Sequence, residues 1–256
     1  MITSTSNQQM KNLSLLIKKA KTRKEQGLFV VEGRKMAEEA PKEWVVKTYV
    51  SESFLRENKE FLTSWEYETV SDSVFKSVSD TQTPQGILCL VKQPKYKLEE
   101  LLTGEKTHLL ILESIQDPGN LGTMLRTGEG AGISGVILNQ TTVDLFNPKT
   151  IRSTMGSIYR IPFYVSEDLN QTVLDLKAQG IFVYAAHLKG TLCYDEADYR
   201  KPTAFLIGNE GNGLTEELAD CADTYIKIPM EGKVESLNAA ISATLLMYEA
   251  NRQRRK

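Results

Sequence analysis

Residues 107–126 read Thr-His-Leu-Leu-Ile-Leu-Glu-Ser-Ile-Gln-Asp-Pro-Gly-Asn-Leu-Gly-Thr-Met-Leu-Arg. The near-continuous apolar run over 108–115 lacks the alternation of a half-exposed strand, so it predicts a strand covered on both faces. A Pro-Gly-Asn turn follows, with Asn120 expected just before the helical pattern of 121–130. Strand, turn and helix in that order are one unit of a parallel α/β sheet. Toward the C-terminus the unit repeats, with strands expected at 135–138, 161–165, 181–186, 203–207 and 225–228. Helices are expected at 148–155 and 169–179. A last helix is expected from Ser236, with Leu237, Ile241, Leu245 and Tyr248 on one stripe.

Toward the N-terminus, Met10, Leu13, Leu16, Ile17 and Ala20 recur at helical spacing, and Gly27 stands where the pattern stops. Strands follow at 28–32, 45–50 and 86–91, with a helix at 34–40; the stretch 51–79 reads as mostly helical, with room for a strand near 67–70. Residues 92–106 are polar and contain Pro94 and Gly104, which marks a linker. The expected architecture is α/β throughout: a small N-terminal domain over 1–91, a linker over 92–106, and a larger parallel-sheet domain over 107–256.

The 256 residues are 41% hydrophobic and 25% charged, which excludes a wholly disordered, collagen-like or coiled-coil chain. The longest apolar runs, such as 87–91 and 109–112, fall far short of the roughly 18 to 20 residues that cross a bilayer. Residues 1–9 are polar with no basic lead into an apolar segment, so no secretory signal is expected. Cys89, Cys193 and Cys221 are odd in number and far apart, which argues against a disulfide framework or a zinc site. His108 and His187 are the only histidines, too few for a His-rich metal centre, and no metal is expected. The expected location is the cytoplasm and no membrane partner is expected.

The net charge of −2 conceals an uneven distribution. Residues 1–35 hold eight basic side chains against Glu25 and Glu32, and the last five residues add Arg252, Arg254, Arg255 and Lys256. An acidic body with basic ends fits local contact with phosphate, and equally a solvated helix face with a solubilising tail. No P-loop, Gly-x-Ser-x-Gly or His-Glu-x-x-His pattern occurs.

Chemistry concentrates instead in three loops at strand ends, where open α/β sheets bind ligands. The first is 117–126, with Asn120 and Arg126. The second, 147–157, offers Asn147 as an N-cap before Pro148, with Lys149 and Arg152 sharing a helix face that would suit phosphate. The third is Gly208-Asn209-Glu210-Gly211-Asn212-Gly213-Leu214, whose glycines allow close backbone approach and amide donation. Ile228-Pro229-Met230 and Ser236-Leu237-Asn238 come after it.

In this order, D-P-G-N-L-G-x-x-x-R, N-P-K-x-x-R-x-x-x-G-S and I-G-N-E-G-N-G-L with I-P-M and S-L-N resemble the three motifs of the SpoU (TrmH) family of RNA ribose 2′-O-methyltransferases, over about 107–250. The N-terminal 90 residues resemble the ribosomal-protein-like RNA-binding domain of many members, through Val31-Glu32-Gly33 and Pro84-Gln85-Gly86. The resemblance implies a trefoil-knotted catalytic domain, an S-adenosylmethionine pocket at Gly208, Ile228, Met230 and Leu237, and a homodimer. It also implies catalytic roles for Arg126, Asn120, Glu210, Ser236 and Asn238.

Family resemblance nominates Arg126 to activate the 2′-hydroxyl. A guanidinium is not deprotonated in proteins, so stabilising a developing alkoxide and binding the adjacent phosphate suit it better. Asn120 and Glu210 would orient Arg126 or the ribose, and Ser236 and Asn238 would bind phosphate or the target ribose. Lys18, Lys21, Lys24, Arg34, Lys149, Arg152 and the basic tail are the expected RNA contacts. Ala239-Ala240 replace the family's usual Val-Ser after Asn238, which removes a hydroxyl at 240. The expected substrate is ribosomal RNA of the large subunit; a tRNA substrate, or a non-catalytic RNA-binding or ribosome-assembly role, are the alternatives.

Overall fold

A computed structural model describes residues 1–255; Lys256 of the basic tail lies outside the described residues. The chain forms two units, one of 1–94 with 144–159 and one of 95–143 with 160–255.

The first unit is built on a four-stranded sheet of β1 (Leu28–Glu32), β2 (Val45–Ser51), β3 (Tyr67–Val70) and β4 (Ile87–Lys92), in the order β1-β4-β2-β3. β4 runs antiparallel to β1 and β2, while β3 is parallel to β2. Helices α1 (Gln8–Lys18) and α5 (Asp72–Val78) contribute Met10, Leu13, Leu16, Val74 and Phe75 to a core shared with Val30, Tyr49 and Leu88. α3 (Arg34–Glu39) and α4 (Glu52–Glu57) complete the strand–helix alternation.

The continuous helix expected up to Gly27 breaks at Lys19, where the backbone is extended (φ −124°, ψ 113°) before α2 (Ala20–Gln26). Arg23 explains the break. Its Nη1 donates to the carbonyls of Leu16 (2.5 Å) and Ile17 (2.9 Å), which end α1. Its Nε and Nη2 reach Asp144 Oδ2 at 2.7 and 2.5 Å. Arg23 is 3% exposed, so this basic residue is a structural bolt.

The segment 144–159, which holds the second sequence cluster, belongs to this first unit. Helix α7 (Pro148–Thr154) lies against β1, the rings of Phe146 and Phe29 are 4.8 Å apart, and Tyr159 Oη donates to Met36 O. The first unit thus takes in part of the stretch 107–256 that was expected as the larger domain. The stretch expected as a linker is 92–106. From Lys95 onward it belongs to the second unit, because Leu101 is fully buried over Gly135 and Tyr96 packs edge-on against Phe163.

The second unit has seven parallel strands in the order β7-β6-β5-β10-β8-β11-β9. They are β5 (His108–Leu112), β6 (Gly135–Asn139), β7 (Phe163–Ser166), β8 (Phe182–Ala186), β9 (Leu192–Cys193), β10 (Thr203–Ile207) and β11 (Thr224–Lys227). Every residue of β5 and β10 is buried, as the unbroken apolar runs predict. β5 stops at Leu112, three residues early, because Ser114 turns the chain. Helices α6 (Pro118–Ala131), α8 (Leu169–Ala178), α9 (Glu216–Asp220) and α10 (Ala239–Arg254) surround the sheet.

α10 departs from expectation twice. It begins at Ala239 with Asn238 as its cap, leaving Ser236 outside the helix. Its buried face is Ala240, Ala243, Leu246, Met247 and Ala250, while Ile241 and Tyr248 are 50% and 44% exposed. Small residues let α10 lie close to α6: Met247 Sδ packs over Gly128, Thr244 and Thr127 share a hydrogen bond (2.9 Å), and Asn251 caps Ala131 O (3.0 Å). The bulky stripe is therefore the outer face.

Candidate active site

The site lies in the second unit, where β5 and β10 end side by side. Asp117 caps α6, its Oδ1 accepting from Asn120 N (2.9 Å). Asn120 is therefore in the first turn of the helix and not ahead of it, and Arg126 projects about 120° around the axis from it. Asn120 Nδ2 donates to Glu210 Oε1 at 3.0 Å, and the same carboxylate accepts from the amides of Gln116 (3.0 Å) and Asp117 (3.1 Å). Asn120 Oδ1 accepts from Asn238 Nδ2 at 3.0 Å. Asn238 Oδ1 caps α10 through Ala240 N (2.9 Å) and Ile241 N (3.3 Å).

Three separate stretches thus meet on one asparagine. Burial raises the Glu210 pKa, but the bonds from Asn120, Gln116 and Asp117 outweigh it and hold the carboxyl below its usual range. Glu210 is an anion that accepts three hydrogen bonds. Ala240 is 2% exposed and packs inward, so the cap of α10 forms without a hydroxyl there.

Arg126 and Ser236 stand apart from this cluster. Arg126 is exposed and makes no hydrogen bond or ion pair among the described residues, so the expected orientation of Arg126 by Asn120 and Glu210 is not built into the chain. Ser236 is exposed and unbonded among the same residues.

The glycine loop is corrected in one respect. Gly211 N and Asn212 N are spent on Asn209 Oδ1 (2.9 and 3.0 Å), and Gly213 N on Asn209 O (2.9 Å). Those amides fold the loop and are not offered outward. Gly208 is buried, and a Cβ there would lie 2.1 Å from Gly213 C, so only glycine lets the loop close. Free backbone groups lie instead in 228–237, which make no hydrogen bond among the described residues although Ile228, Met230 and Leu237 are half-buried. Backbone amides and carbonyls without an internal partner are groups that a polar ligand can engage.

Of the expected RNA contacts, Lys18 and Lys24 are exposed, and Lys21 is exposed 3.8 Å from Glu25. Arg34 pairs with Glu38 (3.0 Å) and lies over the Phe61 ring, and Arg152 pairs with Asp80 (2.7 Å). Asn147 caps α7 as predicted, its Oδ1 accepting from Lys149 N, and the Lys149 side chain is exposed. The motifs of the first unit meet: Gln85 Oε1 accepts from Arg34 N (3.1 Å), and Gly33 N donates to Ile87 O (3.0 Å). Among the described residues no three His, Cys, Asp or Glu side chains converge as metal ligands.

Ser114, Gln116 and Asn139 are polar site residues that the sequence reading passed over. Their only signal is polarity at the ends of apolar runs.

Comparison with known proteins matches residues 107–248 to the model of the SpoU rRNA Methylase family and residues 7–89 to an MRM3-like substrate binding domain. The chain is 37% identical to the 23S rRNA (guanosine(2553)-2′-O)-methyltransferase RlmP of Bacillus subtilis, covering 96% of this chain and 97% of that one. The AdoMet-bound rRNA methyltransferase of Sinorhizobium meliloti superposes with a TM-score of 0.85 at 32% identity, over 98% of this chain and 97% of that one. A TrmH/SpoU tRNA modifying enzyme of A. aeolicus matches at a TM-score of 0.53 and 27% identity, over 61% of this chain and 80% of that one.

Proposed function

The chain belongs to the SpoU rRNA methylase family, and we propose that it methylates a ribose 2′-hydroxyl of large-subunit ribosomal RNA, using S-adenosylmethionine. The observation that carries the reading is the closure of three sequence-distant loops on Asn120, with Arg126 left free on the same helix. Likeness along both domains to the 23S rRNA enzyme supports ribosomal RNA as substrate. The tRNA modifying enzyme shares only 61% of this chain.

Bound S-adenosylmethionine supplies an electrophilic sulfonium methyl for in-line transfer. Gly208, Ile228, Met230 and Leu237 would hold it through their backbone groups. Arg126, unencumbered by any carboxylate, binds the phosphate beside the target ribose and stabilises negative charge growing on the 2′-oxygen. It does not take the proton, since a guanidinium stays charged; as the O–CH3 bond forms and the S–CH3 bond breaks, the 2′-hydroxyl proton passes to water. Glu210 already accepts three hydrogen bonds, so it serves to fix Asn120 and, through it, Asn238. The exposed Ser236 hydroxyl and the Asn238 amide would meet the ribose or its phosphate.

Three further parts belong to this reading. The chain after β11 passes through the loop after β10 to form the family's knot, supported by the reach of Asn238 to Asn120 beside a loop too tight for any side chain at 208. Two copies pair, supported by the outward stripe of Ile241, Leu245 and Tyr248. The enzyme works in the cytoplasm, supported by its rRNA-modifying relative.

The test is transfer of labelled methyl from S-adenosylmethionine to unmodified total RNA, followed by size fractionation and nucleoside analysis, with Arg126→Ala as control. Label in a 2′-O-methyl nucleoside of the large ribosomal RNA, lost in the variant, is the expected result. Label in tRNA overturns the substrate, and absence of cofactor binding overturns the enzyme.

A further inference from the structure

Ser114 has φ +56°, one of two non-glycine residues with positive φ among those described. Such a backbone persists in a non-glycine residue where its surroundings over-determine it. The surroundings here are dense. Ser114 N donates to Asn139 Oδ1 (2.9 Å), and Asn139 Nδ2 donates back to Ser114 Oγ (3.1 Å). Ser114 Oγ and Thr141 Oγ1 are 2.6 Å apart. The Ser114 carbonyl accepts from Gln116 Nε2 (3.0 Å) and from Asn209 Nδ2 (2.8 Å). One residue therefore ties together the ends of β5, β6 and β10.

The consequence falls on the next two residues but one. The turn at Ser114 points the amides of Gln116 and Asp117 at Glu210, and Gln116 Nε2 is fixed a second time by Thr141 O (2.8 Å). Asn209, which grips the Ser114 carbonyl, immediately precedes Glu210. The loop and the carboxylate it holds are thus set from both sides by the same serine.

We propose that Ser114, locked in its left-handed conformation by Asn139, is a positioning residue for methyl transfer that acts through Glu210. The proposal rests on the transfer reaction above. It requires the backbone conformation at 114 more than the hydroxyl, so glycine should serve there and a β-branched residue should not.

The experiment compares full-length Ser114→Gly and Ser114→Val with the parent chain, in transfer to unmodified large-subunit rRNA transcript and in S-adenosylmethionine binding by calorimetry. The Glu210 carboxyl is followed by pH titration of 13C-labelled glutamate. Ser114→Gly should keep kcat within about threefold, whereas Ser114→Val should lose about tenfold or more in kcat with cofactor affinity nearly unchanged. In Ser114→Val the Glu210 titration should move up toward the ordinary carboxylate range, a change that general loosening elsewhere does not produce. A double variant with Glu210→Gln should lose little beyond either single change. Should Ser114→Val not fold, Asn139→Ala removes the lock while leaving residue 114 intact and takes its place. Parental kcat together with an unmoved Glu210 titration in the strained variant overturns the proposal. If the parent transfers no methyl to any RNA, the transfer reading fails by itself, and the carboxyl titration still decides whether Ser114 sets Glu210.

Discussion

Asn120 and Glu210 lie 3.0 Å apart across 90 positions of sequence, joined by an amide-to-carboxylate hydrogen bond that makes two loops into one site. The carboxylate carries three donors, so replacing it with an amide turns one acceptor into a donor facing other donors. An intramolecular hydrogen bond of this kind contributes about 0.5–1.5 kcal/mol net. Glu210→Gln is expected to lower the urea midpoint and to reduce methyl transfer, with both effects shared by Asn120→Ala. Equilibrium unfolding and labelled-methyl turnover on the same preparations check this, and a fully active Glu210→Gln would remove the cluster from the mechanism.

Arg126 makes no hydrogen bond or ion pair among the described residues, so its loss should leave the fold alone. Removing a donor aimed at developing negative charge costs roughly 10²–10³ in kcat. Arg126→Ala should show that loss with parental thermal stability and cofactor affinity, measured by turnover, melting and calorimetry. Near-normal turnover would mean that another group faces the 2′-oxygen.

The lysines of α1 and α2 contrast with the arginine between them. Removing Lys18, Lys21 and Lys24 together should flatten the plot of log affinity for rRNA against log salt by roughly 0.7 per lost phosphate contact, or about 2 in all. Arg23→Ala should instead destabilise the fold by about 3–5 kcal/mol, since it strands Asp144 and the last carbonyls of α1. Filter binding across a salt series and denaturant unfolding separate the two. An unchanged slope in the triple variant would move the RNA path elsewhere.

The strands were legible because their signal is one-dimensional: fully buried β5 and β10 are unbroken apolar runs, and β1 to β3 fall at or within one residue of their expected limits. The motifs located Asn120, Glu210 and Asn238, but not their mutual bonds, which depend on β5 and β10 being neighbours. Periodicity failed where it could not say which partner a stripe faces. On α10 the bulky stripe looked like core, yet Ala240, Ala243 and Ala250 fit closer to α6 and took the inside. The membership of 144–159 in the first unit was hidden for a similar reason, because the Arg23–Asp144 pair links residues 121 positions apart. Ser114 was invisible since a left-handed serine looks like any other in sequence.

The outward stripe of α10 predicts association. Exposed Ile241 and Tyr248 with Leu245 between them form an apolar strip of the kind that self-complementary dimers bury. Sedimentation of the parent chain should give twice the 28.7 kDa monomer, and Ile241→Glu with Tyr248→Glu should shift it to one copy while the unfolding midpoint of each unit is retained at high protein dilution. A parent chain that sediments as a monomer at micromolar concentration would discard the pairing.

His108 opens β5, is 1% exposed, and its Nε2 has no hydrogen-bond partner among the described residues. Burial pushes its imidazole down to about 3, with the charge of Arg254 adding to the effect. In the unfolded chain the group takes up a proton near its model value of 6.5. Between those limits the unfolded state binds more protons than the folded one, so stability is complete above about pH 6.5 and falls as the pH drops toward 3. The slope from this one group approaches about 1.4 kcal/mol per pH unit. His108→Phe, which keeps a ring against Phe205 and cannot titrate, should flatten stability between pH 6 and 4 by up to that amount relative to the parent. Denaturant unfolding at half-unit pH steps measures it. Parallel curves for the two proteins would show that His108 is solvated in the fold and that acid sensitivity arises from the carboxylates instead.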